Sequence, residues 1–136
     1  MKNQKIIVEK FLDKKNVFAV VGASRNPEKY GYQVFKELKE AGYEVYPVNP
    51  NSKKILGVPC YRDLEELPKN PDVVNIVIPP LISKKIVEKC KKLGISKIWF
   101  QPGSESQEVL LFCEKNNIFC IHNLCIILKN KKESKK

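Results

Sequence analysis

The sequence predicts an α/β fold built on a single doubly wound, mostly parallel sheet of five to six strands with helices on both faces. Short apolar runs, such as residues 17–21 and 73–78, alternate with amphipathic segments along most of the chain. An apolar run without an alternating polar face is typical of a strand that is covered on both sides, and helices provide that cover. A length of 136 residues is sufficient for one such domain.

Periodicity and end signals define the individual elements. The strands are predicted over residues 17–21, 43–48, 73–78, 97–101 and 118–121, with a short extended piece at 58–61. The helices are predicted over residues 5–12, 27–41 and 83–93, with a helical turn at 63–67 and a last helix that ends near 116. Ser83 is the expected N-cap of the third helix, and Ser104 and Gln107 form the expected capping box of the last one. Gly42 and Gly94 are the expected helix stops.

The turn after the first strand, residues 22–26, indicates an anion site. Gly22 and its small neighbours let backbone amides approach a ligand closely, and the next helix directs the positive end of its dipole to the same point. The following glycine is Gly31, so the G-x-G-x-x-G fingerprint of ordinary NAD enzymes is missing. The turn therefore predicts phosphate binding without specifying a dinucleotide.

Prolines follow three predicted strands, at residues 47–50, 79–80 and 102–103. The carboxyl ends of parallel strands meet at the edge of the sheet where open α/β folds bind ligands. Because proline lacks an amide donor and restricts the backbone, these segments predict a stiff, largely apolar rim. Such a rim suits a ligand with a diphosphate and an apolar or aromatic body, although each proline taken alone is equally well explained as a strand stop.

The segment after the second strand bears on ligand specificity. An NAD enzyme normally places a carboxylate there to bind the ribose hydroxyls. In this chain Asn49 is followed, after three further residues, by Lys53 and Lys54, with no carboxylate among them. These lysines favour a ribose that carries an extra phosphate, as in NADP and coenzyme A, or else they only solvate the loop.

Charge and cysteine content narrow the class of protein. The formal net charge is +10, and residues 129–136 form a Lys-rich segment that we expect to be a disordered tail after a domain at 1–128. No basic stripe with interleaved aromatics is present, so we do not expect nucleic-acid binding. The five cysteines contain no C-x-x-C pair and there is one histidine, His122, so we expect reduced thiols and no metal site. No apolar run is long enough to span a bilayer and no export signal is evident, so we expect a cytoplasmic protein that does not bind membranes.

Five motifs, taken in order and spacing, resemble those of the small stand-alone CoA-binding domain proteins. They are Val-Val-Gly-Ala-Ser at 20–24, Tyr-Glu-Val-Tyr-Pro-Val-Asn-Pro at 43–50, Ile-Leu-Gly-Val-Pro-Cys-Tyr at 55–61, Val-Ile-Pro-Pro at 77–80 and Ile-Trp-Phe-Gln-Pro-Gly at 98–103. The chain is similar, more distantly, to the CoA-binding domain of the succinyl-CoA synthetase alpha subunit. The resemblance covers about residues 17–128 and implies a Rossmann-like sheet that binds coenzyme A or an acyl-CoA at its carboxyl edge.

The resemblance also implies cofactor-binding roles for particular residues. The diphosphate turn would consist of Gly22, Ala23, Ser24, Arg25 and Asn26. The adenosine phosphate would be met by Asn49 and Lys53. The loop bordering the nucleotide would be Ile78, Pro79 and Pro80, and the loop approaching the pantetheine arm would be Gln101, Pro102 and Gly103.

Three aromatic and thiol side chains near these segments have alternative interpretations. Tyr30 and Tyr32 could stack on adenine, although Tyr32 is better explained by packing of its helix against the sheet. Residues 123–125 resemble the closing cysteine-containing segment of the family. Cys125 would either form a reversible mixed disulfide with the thiol of the ligand or lie in the core, and burial in the core is the simpler interpretation.

No catalytic residues are evident, because the chain shows no Ser/His/Asp arrangement and no activated-cysteine signature. We therefore expect a coenzyme A-binding protein without catalytic apparatus of its own. Two alternatives remain open: an NADP-binding oxidoreductase-like protein, and a regulatory interaction module whose basic tail recruits an acidic partner. The family resemblance also leaves a homodimer open.

Overall fold

The computed structural model describes residues 2–127, and side chains from residue 7 onward. A five-stranded sheet consists of β1 Val17–Val21, β2 Glu44–Val48, β5 Val73–Ile76, β6 Lys97–Phe100 and β7 Phe119–Ile121. Its strand order is β2-β1-β5-β6-β7, and every neighbouring pair in it is parallel. Between β2 and β5, a small antiparallel hairpin consists of β3 Lys54–Ile55 and β4 Val58–Pro59. The predicted doubly wound α/β fold is confirmed.

Helices and a short 3₁₀ turn precede or connect these strands in the described part of the chain. They are α1 Lys2–Phe11, α2 Tyr30–Glu40, α3 Pro80–Lys92, α4 Gln107–Lys115 and the 3₁₀ turn Leu64–Glu66. Among the described residues, no helix combines the length and the apolar character that crossing a bilayer requires. The predicted tail at 129–136 lies outside the described residues and stays a prediction.

The sheet buries side chains on both faces, as continuous apolar strands require. Successive residues of a strand point to opposite faces, so Phe18 packs in one apolar cluster and Ala19 in the other. The first cluster contains the apolar faces of α1 and α2, and the second contains those of α3 and α4. Trp99 is fully buried in the first cluster, and Cys90 of α3 is fully buried in the second.

The direction of winding reverses at β1. Strand β2 pairs with one edge of β1, and β5 pairs with the other edge, with Val21 opposite both Val48 and Ile76. The connections that leave β1 and β5 therefore run in opposite directions, and a crevice opens at the carboxyl ends of these strands. This topological switch point positions the candidate site.

Two predicted helix caps are wrong. Helix α3 begins at Pro80. Proline suits the first position of a helix, because the amide hydrogen that it lacks would have no partner within the helix there. Ser83 therefore lies inside α3, where its hydroxyl donates to the carbonyl oxygen of Ser104 at 2.7 Å. The cap of α4 is Ser106, whose Oγ accepts from the amide of Val109 at 3.2 Å. Ser104 instead accepts a hydrogen bond from the amide of Ile78 at 3.1 Å.

Candidate functional site

A cleft of about 400 Å³ lies at the carboxyl ends of β1, β2 and β5. Its apolar lining residues, called the apolar wall below, are Val21, Val48, Val77, Ile78, Ile82 and Ile86. The remaining lining residues are Gly22, Asn49, Pro50, Asn51, Arg62 and Asp63. The cleft therefore combines a broad apolar wall with a small number of polar groups, which is typical of small-molecule sites.

The turn after β1 enters this cleft at Gly22. The amide of Gly22 donates to the carbonyl oxygen of Val48 at 3.0 Å, and its φ of +98° is one that glycine adopts without strain. A Cβ added at this position would overlap the carbonyl oxygen of Val77 and lie 2.8 Å from Cγ2 of Ile78. Glycine is therefore required here because the turn packs directly on the segment that continues β5.

Helix α2 is pressed against the same turn through Gly31. A Cβ on Gly31 would overlap the carbonyl oxygen of Gly22 and lie 3.3 Å from Cα of Ala23. In dinucleotide-binding folds, the last glycine of the G-x-G-x-x-G fingerprint allows the same close packing of a helix against the preceding strand and turn. The first turn of α2 consequently lies beside the residues predicted to receive a diphosphate.

The amino end of α2 has unused donors. Its N-cap residue, Lys29, makes no side-chain capping hydrogen bond. The amides of Ala23, Ser24 and Arg25 donate to no acceptor within residues 2–127. The turn itself is held by side chains, since Oγ of Ser24 accepts from the amide of Asn26 at 3.0 Å. These free amides lie in a turn that packs against the first turn of α2, and free amides near a helix N-terminus are suited to binding an anion.

Asn49 links this turn to the loop after β2. Its Nδ2 donates to the carbonyl oxygen of Ala23 at 2.7 Å, and its Oδ1 accepts from the amide of Asn51 at 2.8 Å. The side-chain amide is thus occupied within the protein while Asn49 still lines the cleft. Lys53 lies outside the cleft, on an adjoining depression. Direct contact of Asn49 and Lys53 with a ligand stays a prediction.

The remaining predicted site residues separate into two groups. Ile78 lines the cleft, whereas Pro79 is the exposed N-cap of α3 and Pro80 is its first residue. Pro102 and Gly103 are exposed in the loop after β6 and do not border the cleft. Whether these prolines and Gly103 touch a ligand also stays a prediction.

Gln101 is the centre of a buried polar network. Its Oε1 accepts from the hydroxyl of Tyr30 at 3.2 Å and from the amide of Ile126 at 3.1 Å. Its Nε2 donates to Oδ1 of Asn75 at 3.2 Å. The side chain is fully buried, so all of its polar atoms are used to join α2, β5 and the segment after β7. The predicted contact of Gln101 with a pantetheine arm stays a prediction.

Tyr30 also contacts Cys125, since its hydroxyl and the Sγ of Cys125 share a hydrogen bond. Burial, together with this thiol, raises the pKa of Tyr30 above its ordinary value. The hydroxyl of Tyr30 is thereby fixed between Gln101 and Cys125, whereas Tyr32 is partly buried against the core as expected. Stacking of Tyr30 on an adenine stays a prediction.

Among the cleft residues that were not identified from the sequence are Arg62, Asp63, Ile82 and Ile86. The spacing of Ile82 and Ile86 places them on one face of α3, and this signal was available. Arg62 and Asp63 reach the cleft because Tyr61 forms a parallel bridge with Val48 beside β2, and no local pattern indicates that bridge. Within residues 2–127, no group of three or more His, Cys, Asp or Glu side chains is arranged to hold a metal ion.

The sheet order, the switch-point cleft and the glycine turn define a Rossmann-like α/β domain. Residues 16–131 match the family model of the CoA binding domain, and the chain belongs to that family. The earlier resemblance to CoA-binding domain proteins is therefore confirmed.

Several known proteins are similar to this chain. The acetate–CoA ligase [ADP-forming] II subunit alpha of Pyrococcus furiosus is 41% identical over 81 residues, which are 59% of this chain and 18% of the ligase subunit. The uncharacterized protein YneT of Bacillus subtilis is 29% identical over 119 residues, which are 88% of each chain. This chain thus spans less than a fifth of that ligase subunit, but most of YneT.

Solved structures show the same fold. A conserved hypothetical protein from Pyrococcus furiosus has a TM-score of 0.80 at 43% identity, over 84% of this chain and 98% of that one. A hypothetical protein from Pyrococcus horikoshii has a TM-score of 0.85 at 30% identity, over 96% of this chain and 89% of that one.

Proposed function

We propose that this protein binds coenzyme A or an acyl-CoA in the cleft at the carboxyl edge of its sheet. The observation that carries the proposal is the turn after β1, where Gly22 lines the cleft and the amides of the next three residues, Ala23, Ser24 and Arg25, have no acceptor within residues 2–127. A diphosphate accepts hydrogen bonds from such amides, and an adenosine packs against an apolar wall like that of the cleft. Membership in the CoA binding domain family supports the same ligand class.

The proposed activity is capture without a reaction. Among the described residues that line the cleft, only Arg62 and Asp63 carry ionisable side chains. Oδ1 of Asp63 already accepts a hydrogen bond from the amide of Glu65 at 2.9 Å, which caps the 3₁₀ turn. Acid–base catalysis needs a proton donor and acceptor near a reacting atom, and arginine does not release its proton in proteins.

Titration calorimetry with four ligands tests the proposal. Coenzyme A and acetyl-CoA are expected to bind with similar affinity, because both contain the diphosphate and the adenosine that the cleft would contact. NAD, which lacks a ribose phosphate, is expected to bind more weakly. Tighter binding of NADP than of coenzyme A would favour the oxidoreductase-like alternative and contradict the proposal.

Two neighbouring residues of α3 provide a matched pair of variants. Ile82 lines the cleft and is 49% exposed, whereas Leu81 is 90% exposed and does not line it. Ile82→Glu places a negative charge where a polyanion would bind, so we expect coenzyme A affinity to fall by about 10-fold or more. Leu81→Glu adds the same charge one residue away and is expected to reduce affinity by at most about 3-fold. Equal affinities of the two variants would show that the ligand does not occupy this cleft.

A further inference from the structure

Three of the five cysteines lie in the second apolar cluster. Cys90 belongs to α3, Cys113 to α4 and Cys120 to β7, and all three are free thiols. Cys90 and Cys113 are buried, whereas Cys120 is partly exposed. None of the three lines the cleft, so the proposed function leaves them without a role.

The chain folds back between α4 and β7 so that two of these thiols meet. The amide of Ile118 donates to the carbonyl oxygen of Cys113 at 2.9 Å, which returns the chain to the end of α4. Ile118 and Cys120 are two residues apart and pack in the same apolar cluster, so Cys120 lies on the face of the sheet that α4 covers. The side chains of Cys113 and Cys120 share a hydrogen bond. Such contact between two thiols is the starting geometry that a disulfide requires.

The surroundings of the thiols make them differ in reactivity. The hydrogen bond from Cys120 lowers the pKa of Cys113, because it stabilises the thiolate of Cys113. The same hydrogen bond, together with burial, raises the pKa of Cys120. Burial raises the pKa of the neighbouring Cys90 to about 12. Because the thiolate is the nucleophilic form of cysteine, Cys113 is the thiol of this cluster that reacts first.

We infer that Cys113 and Cys120 are a site of reversible oxidation, at which hydrogen peroxide converts the two thiols into a disulfide that joins α4 to β7. Cys120 is the partly exposed member of the pair, so a molecule as small as hydrogen peroxide approaches from its side. The inference does not depend on coenzyme A binding, and its test uses no ligand.

The reaction takes two electrons from the pair of thiols and transfers them to the peroxide. The thiolate of Cys113 attacks one peroxide oxygen: an S–O bond forms, the O–O bond breaks, and the released hydroxide takes up the proton that Cys113 lost. Cys113 is then a sulfenic acid. The sulfur of Cys120 attacks the sulfur of Cys113, so that an S–S bond forms, the S–O bond breaks, and the hydroxyl group leaves with the proton of Cys120 as a second water. A dithiol reductant reverses the change by thiol–disulfide exchange.

Peptide mapping under non-reducing conditions tests this site. Lys115 lies between the two cysteines, so trypsin places them on separate peptides that only a disulfide would join. After the folded protein is exposed to hydrogen peroxide and the remaining thiols are alkylated, we expect one joined pair of peptides, linked through Cys113 and Cys120. A reductant should separate this pair and restore all five thiols.

Cys125 shares the tryptic peptide of Cys120, which makes Cys120→Ala and Cys125→Ala a matched pair of variants. The joined pair should persist in Cys125→Ala and be lost in Cys120→Ala. A joined pair that persists in Cys120→Ala, or one linked through Cys90, would overturn the inference. A wild-type protein in which peroxide yields only sulfinic or sulfonic acids, or leaves every thiol unmodified, would overturn it as well. Fragmentation of the joined wild-type peptides identifies the linked cysteines directly, so the test does not depend on how either variant folds.

Thermal unfolding gives an independent measure of the bond. A disulfide that closes residues 113–120 restricts the unfolded chain, so the midpoint of thermal unfolding should rise by about 5 °C on oxidation and return on reduction. Cys120→Ala should show no such rise after the same treatment. An unchanged or lower midpoint in the oxidised wild type would contradict a bond that the folded protein accommodates.

Discussion

At the scale of single residues, Gly22 has a different role from the one its sequence context suggests. A glycine in a phosphate-binding turn is expected to leave space for the ligand, and a larger side chain would then only block binding. In the structure the space beside Gly22 is already filled by the backbone of Val77 and the side chain of Ile78. A substitution at Gly22 therefore disturbs the fold itself and does not report on ligand binding alone.

Alanine substitutions at two glycines separate backbone strain from steric overlap. Gly42 has a φ of +94°, close to that of Gly22, but a Cβ there would meet no atom within 4 Å. Gly42→Ala is therefore expected to lower the free energy of unfolding by about 1–2 kcal/mol, the cost of the left-handed conformation. Gly22→Ala should lower it by about 1–3 kcal/mol more, because the overlap adds to that cost. Urea denaturation measures both values, and equal losses would contradict the steric explanation.

At the scale of elements, hydrogen bonds join two loops that are distant in sequence. Ser104 follows β6 and Ile78 follows β5, yet the hydroxyl of Ser104 accepts the hydrogen bond of the Ile78 amide. Ser83 of α3 donates to the carbonyl oxygen of Ser104, so the two loops and the helix form one hydrogen-bonded unit. This unit holds the segment that provides one wall of the cleft.

Two serines close in sequence therefore have different expected effects. Ser106→Ala removes the cap of α4 and should lower the free energy of unfolding by about 1 kcal/mol, with coenzyme A affinity unchanged. Ser104→Ala leaves the amide of Ile78 without its acceptor, so we expect a loss of about 1–3 kcal/mol together with weaker binding. Urea denaturation and calorimetry on both variants test this difference. Unchanged coenzyme A affinity in Ser104→Ala would show that the loop is positioned by other contacts.

At the scale of the whole molecule, buried thiols and phenols make stability depend on alkaline pH. Cys90 is fully buried in the second apolar cluster, and that burial raises its pKa from 9.0 to about 12. The pKa of Tyr30 is raised as well, chiefly by burial. The folded state therefore retains these protons more tightly than the unfolded state. The resulting stabilisation is fully present below the ordinary pKa of each group and is lost as the pH rises above it.

The free energy of unfolding should consequently fall between pH 8 and pH 10. Cys90 alone is expected to account for roughly 1 kcal/mol of this loss at pH 10, since its thiol ionises in the unfolded chain and not in the folded protein. Urea denaturation at several pH values, in the presence of a reductant, measures the slope. Cys90→Ala is the control and should show a smaller alkaline loss than the wild type. An identical slope in this variant would mean that Cys90 does not contribute.

Much of the architecture could be predicted because it depends on local signals. Apolar runs such as residues 73–76 specify buried parallel strands, and glycines such as Gly42 specify helix ends, whatever the rest of the chain does. The turn at Gly22 was identified for the same reason. The caps of α3 and α4 were predicted incorrectly because several serines and prolines there offer competing local solutions, and tertiary hydrogen bonds select among them.

The amino-acid sequence by itself determined the fold class, the strand order along the chain, the glycine turn and the family. Only the tertiary structure decided that Arg62 and Ile82 meet the turn after β1 in one cleft, and that Gln101 is committed to internal hydrogen bonds. The physical reason is that strand and helix signals come from neighbouring residues, whereas a cleft is formed by strand ends that are distant in sequence. Those ends are brought together by pairing of β1 with both β2 and β5, which no local pattern encodes.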